Sequence, residues 1–121
     1  MKGTTPTKAQ RAFWTHLCTL GCIACRLDGR RNTVATIHHV DGRTKPWAHW
    51  LVLPLCAGHH QDGTGARGLI AVHPFTARFE SKYGKQRLLL GRALDMLEER
   101  GIEVPEPARR AANGEWARMV A

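Results

Sequence analysis

Apolar residues recur at two different periods along the chain, and these periods predict where helices and strands lie. Helical spacing, with an apolar residue about every three or four positions, occurs in residues 7–20, 74–83 and 86–100. Runs of apolar and β-branched residues, which are typical of strands, occupy residues 33–40 and 50–55. Since a polar loop joins the two runs, the pattern predicts an antiparallel hairpin between helices and therefore an α+β fold.

Particular residues mark where the predicted helices begin and end. Thr7 has the side chain of an N-cap, and Gly21 ends the first helix. Pro74 suits the first position of the next long helix, and Gly101 suits the end of the last one. The Val-Pro-Glu-Pro sequence after Gly101 predicts a stiff link, which leads into a short C-terminal tail within residues 101–121.

A short segment after the hairpin connects the strands to the later helices. Residues 57–61 predict a short helix, and the glycine-rich loop 63–68 follows it. The glycines of this loop either permit left-handed backbone angles and close backbone approach or form a flexible surface turn. Both interpretations stay open at the level of the sequence.

Length and composition predict one domain without a membrane span. The chain has 121 residues, of which 43% are hydrophobic, and this is enough for one modest core. No apolar run approaches the roughly 18 to 20 residues of a membrane helix, and the polar residues 1–10 are not followed by the apolar region of a signal peptide. We therefore expect a single domain over residues 1–121, monomeric and located in the cytoplasm.

The net charge of +8 and the pI of about 10.1 indicate a polyanionic partner, most often a nucleic acid. Basic residues surround the predicted hairpin, whereas most acidic residues lie later in the chain. No base-reading motif is visible, so we expect contacts mainly to phosphates and little sequence preference. The residues expected to make these contacts are Arg30, Arg31, Arg43 and Lys45.

Three of the four cysteines and one histidine have the spacing of a structural zinc site. Two residues separate Cys22 from Cys25, and two residues separate Cys56 from His59. Two such pairs across a hairpin supply the thiolate and imidazole ligands that zinc binds tetrahedrally, and a small domain gains stability from them. The alternative is that the thiols pack as small apolar groups. Cys18 is expected in the core, with replacement of His59 as a ligand as the alternative.

Two pairs of adjacent histidines, His38-His39 and His59-His60, lie on either side of the hairpin loop. Adjacent residues of a strand point to opposite faces, so His38 and His39 are expected to have different roles. One imidazole can bind a metal ion while the other accepts a proton from water, which is what phosphodiester hydrolysis requires. His73 follows the glycine-rich loop, which is flexible enough to bring it back towards His60.

The order of these motifs resembles that of the HNH endonucleases, and more closely that of the Ref-type phage recombination-enhancement nucleases. The resemblance covers about residues 20–90 and implies a ββα-metal core with a structural zinc, between an N-terminal helix and C-terminal helices. It also implies DNA as substrate and a bacterial or phage-infected host cell. The matching segments are His38-His39-Val40, Arg43-Thr44-Lys45-Pro46, Pro54-Leu55-Cys56, His59-His60-Gln61, Val72-His73 and Phe79-Glu80-x-x-Tyr83-Gly84.

The family resemblance also implies a role for each matching histidine. His38, His60 and His73 would bind a catalytic divalent ion, Mg²⁺ or Mn²⁺, with Zn²⁺ able to enter the same site in crystals. His39 would be the general base that activates water. Arg43 and Lys45 would hold phosphate. The structural quartet would remain Cys22, Cys25, Cys56 and His59.

The sequence departs from the family pattern at two places. The family's asparagine falls near Leu51 here, and the nearest polar residue is His49, so either His49 or a backbone carbonyl orients His39. About twenty residues precede Cys22, where Ref-type proteins carry a long basic arm, so dependence on a RecA filament stays open. The sequence therefore predicts a metal-dependent DNA endonuclease, with a non-catalytic zinc module that binds nucleic acid or a recombinase filament as the alternative.

Overall fold

The structure, a computed structural model, describes residues 3–63 and 69–115. Five α-helices, two strands and one π-helical turn follow one another in these described ranges. In chain order they are α1 (Lys8–Cys18), α2 (Ile23–Leu27), β1 (Thr36–His39), β2 (Val52–Leu55), the π-helical turn (Gly58–Asp62), α3 (Thr76–Tyr83), α4 (Gln86–Glu99) and α5 (Glu106–Ala112). Among the residues described, no helix is long and apolar enough to cross a membrane.

The predicted hairpin is present, although its strands are shorter than the sequence pattern suggests. β1 and β2 pair antiparallel, with His38 opposite Leu53 and His39 opposite Val52. The segment before β1 does not pair because it turns towards α2, where the Cys22 N–H donates to the Asn32 carbonyl at 3.1 Å. All four residues of β2 are buried, so this strand is the central element of the core.

Helix α1 begins where the sequence predicts, because Thr7 and Gln10 cap it reciprocally. The Gln10 N–H donates to the Thr7 hydroxyl at 3.1 Å, and the Thr7 N–H donates to the Gln10 side-chain oxygen at 2.8 Å. Such a capping box satisfies two backbone donors of the helix end. The helix buries Phe13 and Leu17 against the hairpin and α4, and each such side chain contributes about 1.5 to 3 kcal/mol.

The beginning of α3 differs from the prediction. Pro74 does not occupy the first helical position, because the helix begins at Thr76 and Pro74 lies in the turn before it. In that turn the His73 N–H donates to the His60 carbonyl at 3.1 Å. This hydrogen bond joins the segment before α3 to the π-helical turn, and it thereby holds His73 close to His60.

The C-terminal region also differs, because the predicted link and tail contain a helix. α5 has Pro107 in its first turn, where proline costs no intrahelical hydrogen bond. Its residues Ala108, Ala111 and Ala112 are buried against α4. The sequence did not predict this helix, because a run of alanines beside arginines contains no large apolar residue that would indicate a buried face. Residues 116–121 of the predicted tail lie outside the described residues.

The glycine-rich loop is described only at its first residue, Gly63, and the predictions for residues 64–68 lie outside the described ranges. A side chain at Gly63 would overlap the carbonyl oxygens of Gly58 and Leu69. The Gly63 N–H donates to the Gly58 carbonyl at 2.8 Å, and its own carbonyl accepts from Ala71 at 3.2 Å. Glycine at this position therefore allows neighbouring backbone segments to approach closely.

Candidate metal centres

The first centre is formed by the predicted zinc quartet. Its four ligand atoms lie within 4.8 Å of one another, and all four residues are buried. Nδ1 of His59 lies 3.4 Å from Sγ of both Cys22 and Cys25, and 3.3 Å from Sγ of Cys56. A tetrahedral ion with Zn–S bonds of about 2.3 Å and a Zn–N bond of about 2.0 Å requires ligand separations of this size. The quartet can therefore hold a metal such as zinc.

Local structure explains how the quartet forms. Cys22 caps α2, so that its Sγ accepts from the Cys25 N–H at 3.4 Å and both thiols face the same point. Cys56 follows the last residue of β2, and the π-helical turn then places His59 beside it. Cys18 lies outside the quartet, and it is half-buried and not among the residues of the hydrophobic core in which the sequence places it.

Burial controls the protonation of these thiols. Removal from water raises the pKa of Cys22 to about 12, and it also raises the pKa of Cys25. Without a cation the thiols of Cys22 and Cys25 are therefore protonated at neutral pH. Metal binding has to displace these protons, which makes the affinity of the quartet dependent on pH.

A hydrogen-bonded chain behind His59 fixes which of its nitrogens faces the thiols. The Tyr83 hydroxyl donates to Asp28 at 2.6 Å and lies 2.9 Å from Nε2 of His59. Since the hydroxyl hydrogen points to the carboxylate, the His59 Nε2–H donates to Tyr83 and Nδ1 keeps its lone pair for a metal. Burial alone would raise the pKa of Asp28, but the hydrogen bonds from Tyr83 and Lys82 hold it below its ordinary value.

The second centre contains the three histidines predicted to bind the catalytic ion. His38, His60 and His73 each offer a ring nitrogen, and these atoms lie within 4.8 Å of one another. The ring centroid of His38 lies 5.0 Å from the ring centroids of both His60 and His73. His38 is buried, His60 is half-buried and His73 is exposed, so the centre opens towards solvent on one side. We call this set the three-histidine cluster.

Gln86 and Glu80 orient His38, and the sequence did not reveal this role. Nε2 of His38 lies 2.7 Å from the side-chain oxygen of Gln86, whose amide nitrogen donates to Glu80 at 3.2 Å. The carboxylate thus fixes the amide, and the amide oxygen accepts from the His38 Nε2–H. Glu80 belongs to the Phe-Glu-x-x-Tyr-Gly motif, which was a usable signal, whereas Gln86 only begins an amphipathic helix.

These contacts leave Nδ1 of His38 able to bind a metal ion. It is a buried nitrogen with no hydrogen-bond partner among the described residues, and an orphan of this kind is rare in a folded protein. Burial, followed by the neighbouring His60 and His73, lowers the pKa of His38 to about 4. The imidazole is therefore neutral at physiological pH, with its lone pair available to the cluster.

His39 occupies a different environment from His38, as expected for adjacent residues of a strand. Its Nε2 lies 3.0 Å from Nδ1 of His49, and Nε2 of His49 lies 2.6 Å from the carbonyl oxygen of Thr4. The ring of Trp14 packs edge-on against both imidazoles, and the Trp14 indole N–H donates to the His49 carbonyl at 2.8 Å. The N-terminal segment and α1 thus build the surroundings of His39.

The hydrogen bonds assign the tautomers of this pair. A carbonyl oxygen only accepts, so the proton of neutral His49 is on Nε2 and its Nδ1 is an acceptor. The His39 Nε2–H then donates to His49, which leaves the lone pair of His39 on Nδ1. Burial, followed by the positive charge of Arg43 and the neighbouring imidazole of His49, lowers the pKa of His39 to about 4. His39 is therefore neutral and has one nitrogen able to accept a proton.

The predicted phosphate-binding residues fall into two groups. Near the hairpin loop, Lys45 lies 2.8 and 2.9 Å from the two carboxylate oxygens of Asp41, so its charge is balanced locally, while Arg43 is exposed. Arg30 and Arg31 are exposed and line a concavity together with Cys25 and Cys56 of the quartet. One pair of predicted cations is thus placed at the hairpin loop and the other at the quartet.

A comparison with known families identifies the family to which the chain belongs. A family model described as "Recombination enhancement, RecA-dependent nuclease" matches residues 6–98. The match includes all seven residues of the two metal centres, as well as the hydrogen-bond partners Gln86 and Tyr83. Because it covers more than half of the sequence, the chain belongs to the recombination-enhancement, RecA-dependent nuclease family.

Proposed function

We propose that the protein is a metal-dependent DNA endonuclease of the HNH type that acts with little sequence preference during phage recombination or DNA processing. The observation that carries this proposal is the three-histidine cluster beside the neutral, oriented His39. A protein that only needed zinc to fold would have no use for a second set of imidazoles. Family membership supports a nuclease and suggests DNA and RecA as partners.

His38, His60 and His73 would hold a divalent ion, which when bound would neutralise charge on the phosphate and on the leaving oxygen. The donor set bears on which ion suits the site. Mg²⁺ prefers oxygen ligands and near-ideal octahedral geometry, whereas imidazole suits transition metals. Of the two expected ions, Mn²⁺ therefore fits the three imidazoles better, and Zn²⁺ would also enter the site.

His39 would act as the general base by accepting a proton from the attacking water at Nδ1. The low pKa of His39 keeps its imidazole neutral. Because the Nε2–H of His39 donates to His49, the lone pair on Nδ1 is the one that can accept a proton. The loss of the proton from His39 to bulk solvent would complete the cycle. General-base catalysis of this kind contributes typically about 10² to 10⁴ in rate.

The hairpin and the π-helical turn would together form the ββα-metal core. β1 carries His38 and His39, β2 leads to Cys56, and the turn carries His59 and His60 on opposite sides. The zinc held by the quartet would fix the turn and hence the position of His60. In this proposal the structural ion positions the catalytic site without contact with the substrate.

A plasmid-nicking assay tests the proposal. Zinc-loaded protein is incubated with supercoiled DNA in Mg²⁺ or Mn²⁺, with and without a RecA filament, beside the His39→Ala variant. We expect the wild type to nick or linearise the plasmid and the variant to lose about 10² to 10⁴ of that rate. A wild type that leaves the plasmid intact in every condition, while still binding DNA, would instead support the non-catalytic zinc module.

A further inference from the structure

A cavity lined by arginines lies next to the zinc-binding quartet, between the end of α1, α2 and the segment that precedes β1. Its volume is about 610 Å³, and the described residues that line it include four arginines and no acidic residue. We call it the arginine cavity and define it by these four residues, which are Arg26, Arg30, Arg31 and Arg100.

Backbone carbonyls at the end of α1 hold two of the guanidinium groups in place. Arg26 donates to the Leu20 carbonyl at 3.1 Å, and Arg100 donates to the Thr19 carbonyl at 3.4 Å. Each of these bonds uses one of the five N–H donors of a guanidinium group. The nearby carboxylate of Asp28 is engaged by Tyr83 and Lys82. Two of the four guanidinium groups of the cavity are therefore held in fixed positions.

The arginine cavity continues along the surface to the three-histidine cluster. A second concavity of about 530 Å³ shares Arg30, Arg31 and Asn32 with it and extends to Ala57 and Gly58. A third concavity, of about 220 Å³, shares Ala57 with the second and is also lined by Thr36 and His60. The shared lining residues thus connect the arginines, one step at a time, to a histidine of the cluster.

We propose that the arginine cavity binds successive backbone phosphates of a DNA strand whose scissile bond lies at the three-histidine cluster. The proposal rests on the proposed nuclease function. Guanidinium groups match phosphate oxygens through paired N–H donors, and arginine is preferred where such recognition matters. A series of three concavities that share lining residues suits an extended polyanion better than a single small anion. The exposed Arg30 and Arg31, which line both larger concavities, would contribute most directly.

The test compares two double variants that remove the same charge. Arg30→Gln/Arg31→Gln alters the cavity, whereas Arg11→Gln/Arg92→Gln removes two exposed arginines that line none of the three concavities. Both are made in a His39→Ala background so that the DNA stays intact. The dissociation constant for a fluorescent single-stranded oligonucleotide, and for its duplex, is measured over a series of KCl concentrations. Zinc content and circular dichroism confirm that each variant is folded.

Each phosphate contact that is lost reduces the slope of log K against log salt by about 1. We expect the magnitude of this slope to fall by about 2 in the cavity variant. It should fall by clearly less in the control variant. Equal changes in both variants, or an unchanged slope in the cavity variant, would overturn the proposal. An unchanged slope together with lost binding to a RecA filament would assign the cavity to an acidic protein surface instead, which also overturns the proposal.

Binding measured in this way is independent of cleavage. A wild type that fails to cut DNA but shows the arginine-dependent slope would contradict the proposed function and support the phosphate site. A wild type that cuts DNA, with a cavity variant of unaltered slope, would support the proposed function and contradict the phosphate site. The two proposals can therefore fail separately.

Discussion

Replacement of His49 tests whether the proposed base is held in one tautomer by its neighbours. His49 is 3% exposed, and it joins His39 to the Thr4 carbonyl through contacts of 3.0 and 2.6 Å. In His49→Leu both hydrogen bonds are lost, so the proton of His39 is no longer directed to Nε2 and the ring can turn. Misplacement of a reacting group by about 1 Å costs about 10² in rate, which corresponds to about 2.7 kcal/mol.

His49→Asn is the matched control, because asparagine is close in size to leucine and its side-chain oxygen can replace Nδ1 of His49 as the acceptor. We expect single-turnover plasmid cleavage to fall about 100-fold in the leucine variant and less than about tenfold in the asparagine variant. The KM for DNA should be unchanged in both. Equal loss in the two variants, or full activity of the leucine variant, would show that orientation of His39 through His49 has no role in the reaction.

Further changes address the two metal centres. Cys22→Ser should abolish zinc binding and unfold the domain by circular dichroism, whereas His39→Ala should stay folded with its zinc; equal unfolding of both would contradict the separation of roles. Gln86→Leu should weaken divalent-ion activation of cleavage by about 10 to 100-fold at unchanged zinc content, and simultaneous loss of zinc would contradict this. Tyr83→Phe should speed zinc loss to a chelator, and an unchanged rate would show that the Tyr83 hydroxyl does not support His59. Because the pKa of Cys22 is raised to about 12 without metal, zinc affinity should be weaker at pH 6 than at pH 8, and a pH-independent affinity would contradict proton displacement from the thiols.

Residue spacing was sufficient to predict the elements and the side-chain clusters that depend on local chemistry. The Thr7 cap, the hairpin and the four-residue quartet follow from side chains close in sequence or from two matching Cys/His spacings. The convergence of His73 with His38 and His60 was expected through family resemblance, and the structure brings their ring nitrogens together. The roles of these residues in catalysis stay a proposal.

Contacts between distant segments could not be predicted from the sequence. Gln86 approaches His38 only because α4 packs against the hairpin, and the two residues are 48 positions apart. Thr4 reaches His49 because the N-terminal segment lies along Arg43, where the Thr4 N–H donates to the Arg43 carbonyl at 3.0 Å. Neither contact has a periodic or composition signal. The helix within residues 101–121 was not predicted for a related reason, since its alanines form a buried face only when they pack against α4.

Adjacent histidines assigned to different centres provide the most direct test of the whole account. Zinc content and single-turnover cleavage should be measured in parallel for His59→Ala and His60→Ala. The account predicts that His59→Ala loses zinc and folded structure, whereas His60→Ala keeps one zinc per chain and a native circular dichroism spectrum but no longer cleaves DNA in Mn²⁺ or Mg²⁺. An active His60→Ala variant, or loss of zinc and fold in both variants alike, would contradict the division of the two histidine pairs between a structural and a catalytic metal centre.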